Sequence, residues 1–109
     1  MNKKFLPLIL FLVFTCSSLY AGVTGKIAGV VTDKTTGEPL PGVNIIIDGT
    51  TMGASTDESG YYVILNVPPG TYTLKAMYVG YTNVIVEEVK VSVDLTTRMN
   101  FEMGQTTLE

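Results

Sequence analysis

The side chains with chemical potential in this chain are carboxylates, a few serines, six tyrosines and one cysteine; histidine is absent. The missing imidazole removes the usual general base, the usual proton shuttle and the commonest zinc ligand. The single thiol, Cys16, lies in an N-terminal segment that reads as a leader, which leaves the rest of the chain without a thiolate nucleophile or a Cys-type metal site. Ser55, Ser59 and Ser92 have no Gly-x-Ser-x-Gly turn around them, and nothing marks out a lysine as a substitute base. No glycine-rich loop opens a helix where a phosphate would be cradled. Among the carboxylates, Asp48-Gly49 and Asp57-Glu58-Ser59-Gly60 offer oxygen ligands of the kind calcium takes. The spacing of a dedicated calcium loop is missing, and solvated turn acids are the plainer reading. Glu87 and Glu88 are adjacent, and neighbours on a strand face opposite sides, so the pair does not flank one glycosidic bond. Tyr61, Tyr78 and Tyr81 are the rings expected to face outwards, where sugar planes can stack, while parity commits Tyr62 and Tyr72 inwards; core or edge packing is the alternative for the first three. The chain is thus expected to carry no catalytic residue, no cofactor and no metal.

The ends of the chain set the compartment. Asn2-Lys3-Lys4, an apolar run from Phe5 to Phe14, and Ser17-Ser18-Leu19-Tyr20-Ala21 follow the order of charge, grease and small residues that export and signal cleavage require. The apolar run is about half the ~20 residues that cross a bilayer as a helix. Residues 1–21 are therefore read as a signal peptide, with a retained anchor as one alternative and acylation at Cys16, after Thr15, as another. The remainder has no cysteine, so no disulfide supports it, and a chain this short supports one core and one domain. Lys26, Lys34, Lys75, Lys90 and Arg98 stand against ten acids, a net charge of −5. No basic run or stripe is present to neutralise phosphates, which excludes nucleic acid as a partner.

The elements that would position these groups are all strands. Alternation and turn residues place strands at 26–32, 43–47, 52–56, 61–67, 71–77, 82–93 and 98–103, with no helical stretch. Within 82–93 the apolar parity slips from Val84 and Val86 to Val89, Val91 and Val93. A one-residue slip turns every side chain over, so Glu87-Glu88 should mark a bulge or break. The last strand alternates Met99, Phe101 and Met103 against Arg98, Asn100 and Glu102. Seven short strands separated by regular turns describe an antiparallel sandwich or barrel.

A spaced set of turn residues runs through nearly the whole of this region. It comprises Gly29-Val30-Val31-Thr32-Asp33, then Thr36-Gly37-Glu38-Pro39-Leu40-Pro41-Gly42-Val43, Gly49-Thr50 and Gly53. It continues in Thr56-Asp57 with Gly60-Tyr61-Tyr62, in Val67-Pro68-Pro69-Gly70-Thr71-Tyr72 and in Gly80-Tyr81. The glycines sit where tight turns need positive φ or no side chain, and the prolines bracket strands because they cannot donate to a ladder. Asp57 is placed to bond its own backbone two residues on, and Tyr62, Ile64, Tyr72 and Leu74 are placed to fill the space between sheets.

In these residues the chain resembles the carboxypeptidase regulatory-like domains, whose fold is the transthyretin-like or prealbumin-like sandwich. The resemblance implies an all-β, seven-stranded antiparallel Greek-key β-sandwich over 22–103, with 104–109 starting a linker to a downstream region. It implies a structural role for Gly37, Pro39, Pro41, Gly42, Gly49, Asp57, Gly60, Tyr62, Pro69, Gly70, Tyr72, Gly80 and Tyr81. It also implies a setting, since such domains stand after the signal peptide of TonB-dependent outer-membrane receptors, including SusC-like glycan importers, ahead of a plug and barrel. A non-catalytic exported interaction module for nutrient uptake is the function expected on that basis, in the periplasm or at the periplasmic face of the outer membrane. Its partner would be a protein or the downstream region. A free-standing secreted or periplasmic carbohydrate-binding or adhesion module, and an accessory domain of an exported peptidase, are the alternatives.

Overall fold

The computed structural model describes residues 23–106; the leader, its cleavage region and Cys16 lie outside them. The described residues form eight strands, β1 (Gly25–Asp33), β2 (Asn44–Ile47), β3 (Gly53–Ser55), β4 (Tyr61–Val67), β5 (Gly70–Met77), β6 (Val84–Val91), β7 (Thr96–Arg98) and β8 (Phe101–Met103). One sheet runs β3-β2-β5-β6 and is antiparallel throughout. In the other, β1 pairs antiparallel with β4 on one side, while on its other side β7 and then β8 run parallel to it. The two sheets face each other as a sandwich. The expected strand count of seven becomes eight because the final strand is two, and the β1 ladder is mixed where an antiparallel one was expected.

The period-two pattern decides which side chains face the interior. Ile27 and Val31 of β1, Ile45 and Ile47 of β2, Tyr62 and Ile64 of β4, Leu74 of β5, and Phe101 and Met103 of β8 are all buried in one cluster. Each large apolar side chain so buried stabilises the fold by about 1.5–3 kcal/mol. β6 solves its parity slip with a bulge. Val86 lies opposite Leu74 and Val89 opposite Tyr72, so Glu87 and Glu88 together oppose Thr73, and Glu88 takes a φ of 59°. The bulge resets the register, so that Val84 and Val86 before it and Val89 and Val91 after it pack against the same core.

The break between β7 and β8 has a different origin. β7 pairs with Lys26–Ala28 and β8 with Val31–Asp33. Between them, Met99 and Asn100 fold over Gly29. The Met99 N–H donates to the Ala28 carbonyl (2.9 Å), and the Asn100 Oδ1 accepts the Val30 N–H (2.9 Å) that the interrupted ladder would have left open. The Met99 carbonyl is turned inwards, where the Tyr62 hydroxyl donates to it at 2.5 Å. This arrangement requires glycine at position 29: a Cβ built there would lie 1.9 Å from the Met99 oxygen. Tyr62 is buried and tilted against Phe101, with ring centroids 6.1 Å apart, and burial raises its hydroxyl pKa above the ordinary tyrosine value. The ring is therefore a neutral, permanent donor.

Gly29→Ala is expected to destabilise the fold by about 3 kcal/mol, the upper end of the usual cost of overpacking. Tyr62→Phe, which leaves the Met99 carbonyl without its buried donor, is expected to cost about 1–2 kcal/mol. Urea unfolding midpoints of the two variants against the parent chain measure both values, and a neutral Gly29→Ala would mean that the crossing is not tight.

Candidate functional site

The densest constellation of polar side chains gathers where the chain leaves the sandwich. Asp33 ends β1, and the turn after it, closed by Gly37 N–H donating to the Asp33 carbonyl (2.8 Å), tucks the carboxylate against the protein. Asp33 is only 4% exposed. Its Oδ1 accepts the N–H groups of Thr35 (2.8 Å) and Thr36 (3.0 Å), and its Oδ2 accepts the Tyr81 hydroxyl (2.7 Å) and a weaker Gln105 Nε2–H contact (3.4 Å). The Tyr81 hydroxyl, with the Thr36 and Thr35 amides behind it, lowers the Asp33 pKa to about 2, and burial opposes them weakly. The same bond raises the Tyr81 pKa above its ordinary value, because ionising that hydroxyl would abandon the carboxylate.

Backbone bonds complete the clamp. Lys34 N–H donates to Met103, Thr82 N–H to Gly104, and Thr106 N–H to Gly80, each at 2.9 Å. The Thr106 hydroxyl also donates to the Gly80 carbonyl at 3.0 Å. Residues 104–106, expected from the sequence to begin a linker, are thus bonded to the 80–82 turn, which fixes the course of the chain as far as Thr106. A carboxylate that already accepts four donors is a poor base or nucleophile and a good fastener. Asp33, Tyr81 and Gln105 join three segments that are 48 and 72 residues apart in sequence.

The residues singled out by the sequence are spread through the fold and do not converge. Gly37, Gly42, Gly49, Gly60 and Gly80 have φ between 75° and 85°, whereas Gly70 has no positive φ and simply opens β5. Pro39 makes an isolated bridge to Thr32. Pro41 and Gly42 form the turn into β2, held by Gly42 N–H to Thr56 (3.0 Å), while Pro69 lies in the bend before β5. Asp57 bonds the Ser59 N–H (2.9 Å) and also the Tyr61 N–H (3.0 Å) through one oxygen. Tyr72 is half-buried against the core, and its hydroxyl donates to the Pro68 carbonyl at 2.6 Å. Gly80 and Tyr81 belong to the clamp and Gly37 closes the turn behind it; Asp33 and Gln105 were not among the expected site residues. Of the three tyrosines expected outside, Tyr61 is 41% exposed. Tyr78 and Tyr81 are half-buried and lean on each other, with centroids 5.4 Å apart.

One open surface flanks the cross-strand pair Asn44 and Met77 on the β3-β2-β5 face. Two shallow hollows of about 350 Å³ each meet at this pair, one reaching Tyr78 and Asn83 and the other Thr51 and Ser55. No charged residue lines either. Asn44 Oδ1 accepts the Ser55 hydroxyl at 2.9 Å, leaving the Asn44 amide to face solvent. Among the described residues no three metal-ligating side chains cluster.

Comparison with known proteins adds a family. Residues 27–109 match the family model described as CarboxypepD_reg-like domain. The TonB-dependent receptor P3 of Formosa agariphila is 33% identical over 109 residues, which is 99% of this chain and 10% of the receptor. The chain spans a tenth or less of the length of the curated relatives it matches, three TonB-dependent receptors of that organism. Among solved structures, a type II cohesin–X-dockerin complex from Acetivibrio cellulolyticus aligns at 29% identity over 71% of this chain and 52% of that one, with a TM-score of 0.59. GBS52, the minor pilin of Streptococcus agalactiae, shares the fold at 22% identity over 80% of this chain and 47% of that one, with a TM-score of 0.56.

The clamp makes stability depend on acid. Because the folded-state pKa of Asp33 lies below the ordinary carboxylate value, its contribution is complete above about pH 4 and is lost as the pH falls towards 2. Urea midpoints recorded across that window should fall for the parent chain. In Asp33→Asn they should start lower at neutral pH and fall less steeply; parallel curves would show that Asp33 is not held as described.

Proposed function

The chain belongs to the CarboxypepD_reg-like domain family, and from that premise we propose that it serves as the N-terminal, periplasm-facing domain of a TonB-dependent outer-membrane receptor for nutrient uptake, with no chemistry of its own. The observation that carries this reading is the near-complete alignment of the chain with only a tenth of such a receptor. The exported leader read from residues 1–21 agrees with it. So does the clamp at Asp33, Tyr81 and Gln105, which suits a domain that must hand the chain on to a following region in a set direction. The role is that of a spacer and docking surface. The coding sequence past Glu109 tests it directly: a plug-like segment followed by many strands of about ten alternating residues is the expected result, and a stop codon there overturns the receptor reading.

A second reading, a glycan-binding module, draws support from the uncharged hollows beside Asn44 and Met77, where amides, hydroxyls and the Tyr78 ring stand together. Neutral hydrogen-bonding groups beside an aromatic ring suit a neutral sugar. On this reading, calorimetry with a panel of neutral oligosaccharides gives a heat that Asn44→Ala and Tyr78→Ala remove. No heat from the folded parent chain eliminates it.

A further inference from the structure

The turn Asp48-Gly49, between β2 and β3, belongs neither to the clamp nor to the hollows beside Asn44, yet its geometry suits one reaction. Asp48, Gly49 and the following Thr50 are all exposed. Asp48 N–H donates to the Thr73 carbonyl (2.8 Å), and the Ile47 carbonyl accepts both the Thr50 N–H (3.1 Å) and the Thr50 hydroxyl (2.8 Å). The turn is therefore pinned on both sides of the Asp48–Gly49 peptide plane. The plane itself has no hydrogen-bond partner among the described residues, at either the Asp48 carbonyl or the Gly49 N–H, so it can rotate without breaking a bond. Gly49 has a φ of 79°, and a Cβ built there would meet nothing within 4 Å, which leaves open room around its amide. The Asp48 carboxylate likewise meets no donor among the described residues.

A carboxyl group with no donor, an amide nitrogen with no acceptor and no side chain on the next residue coincide here. The other aspartates among the described residues each lack at least one of these. Asp33 is engaged by four donors, and the Lys34 N–H after it donates to the Met103 carbonyl at 2.9 Å. Asp57 accepts the Ser59 and Tyr61 N–H groups, and Glu58 follows it with a long side chain. Asp94 is followed by Leu95, whose N–H donates to the Ser92 carbonyl at 3.3 Å and whose side chain is branched.

We propose that Asp48-Gly49 is a site of spontaneous covalent modification, at which the folded domain converts aspartate to isoaspartate with water as the sole co-reactant. The lone pair of the Gly49 nitrogen attacks Cγ of the protonated Asp48 carboxyl group. The new N–Cγ bond forms, the Cγ–OH bond breaks, and the hydroxyl departs with the amide proton as water, closing a succinimide ring. Water then adds to one of the two imide carbonyls. Addition at Cγ restores aspartate. Addition at the backbone carbonyl breaks that carbon's bond to nitrogen, so the chain now runs through Cβ and Cγ and the α-carboxylate becomes the side group. Nothing is oxidised or reduced, and the product has the mass of the original chain. The β2–β3 turn gains one main-chain atom, which loosens the Thr50 bonds to Ile47. Thr51, next along, lines the hollow shared with Asn44, Ile46 and Ser55, so the change reshapes one wall of that open surface. The inference does not lean on the receptor reading, and its test leaves that reading untouched.

The test is prolonged incubation of the folded chain in warm, mildly acidic buffer, followed by proteolytic peptide mapping and by labelling with a carboxyl methyltransferase specific for isoaspartate. The expected result is a second form of the peptide holding residues 48 and 49, of unchanged mass and methyl-accepting, preceded by a transient form lighter by one water. Peptides holding Asp33, Asp57 and Asp94 should show no such form. Asp48→Ser, which removes the carboxyl group from an exposed position, should abolish the labelling. Gly49→Ala, strained at this φ but uncrowded, should slow it several-fold, because its methyl group opposes the approach of the amide. Labelling confined to urea-unfolded chain overturns the proposal, since the native turn would then be closed to the reaction. Equal conversion at Asp94 or Asp57, or an unchanged rate in Gly49→Ala, overturns it too.

Discussion

The fold depends on one crossing, the passage of Met99 and Asn100 over Gly29. β1 is the hub of its sheet, with β4 on one side and two short strands laid end to end on the other. A straight strand from Thr96 to Met103 would have given a continuous ladder. The chain instead lifts at Met99, sends its carbonyl to the Tyr62 hydroxyl in the core, and repairs the lost ladder bond with the Asn100 side chain. The missing Cβ of residue 29, the buried phenol and the asparagine amide act together at this crossing. The cost of an unpaired buried carbonyl or amide explains why all three are needed.

Much of the architecture could be read from one line of letters, because period-two alternation is a local property. The strand at 61–67 was placed to the residue, and β1, β2, β3 and β5 to within a residue at each end. The bulge at Glu87-Glu88 was legible for the same reason, since a parity slip between Val86 and Val89 has no other remedy within a strand. The β7–β8 break was not legible. Met99, Phe101 and Met103 keep perfect parity, and the reason for the interruption, Gly29, lies seventy residues earlier in the chain.

The clamp was hidden for a related reason. Asp33 followed by two threonines announces a turn, and its bonds to Thr35 and Thr36 fit that pattern. Nothing local announces that its second oxygen meets Tyr81 and Gln105. Tyr81 belonged to a recognisable Gly-Tyr pair, yet its hydroxyl, and not its ring, is what matters most in the structure. The expectation that Tyr78 and Tyr81 face outwards gave way because the two rings cover each other against the core. Those contacts arise from tertiary placement, which alternation within a strand does not encode.

The parallel course of β1 and β8 has a mechanical consequence. The chain enters at the start of β1 and departs beyond β8, which runs in the same direction alongside it, so entry and exit lie at opposite ends of the sandwich, about 30 Å apart by the length of β1. Tension applied between the start of β1 and the end of β8 then acts along these neighbouring strands. Their hydrogen bonds are loaded together in shear and cannot be unzipped one after another, which makes the domain stiff along the line in which it is pulled.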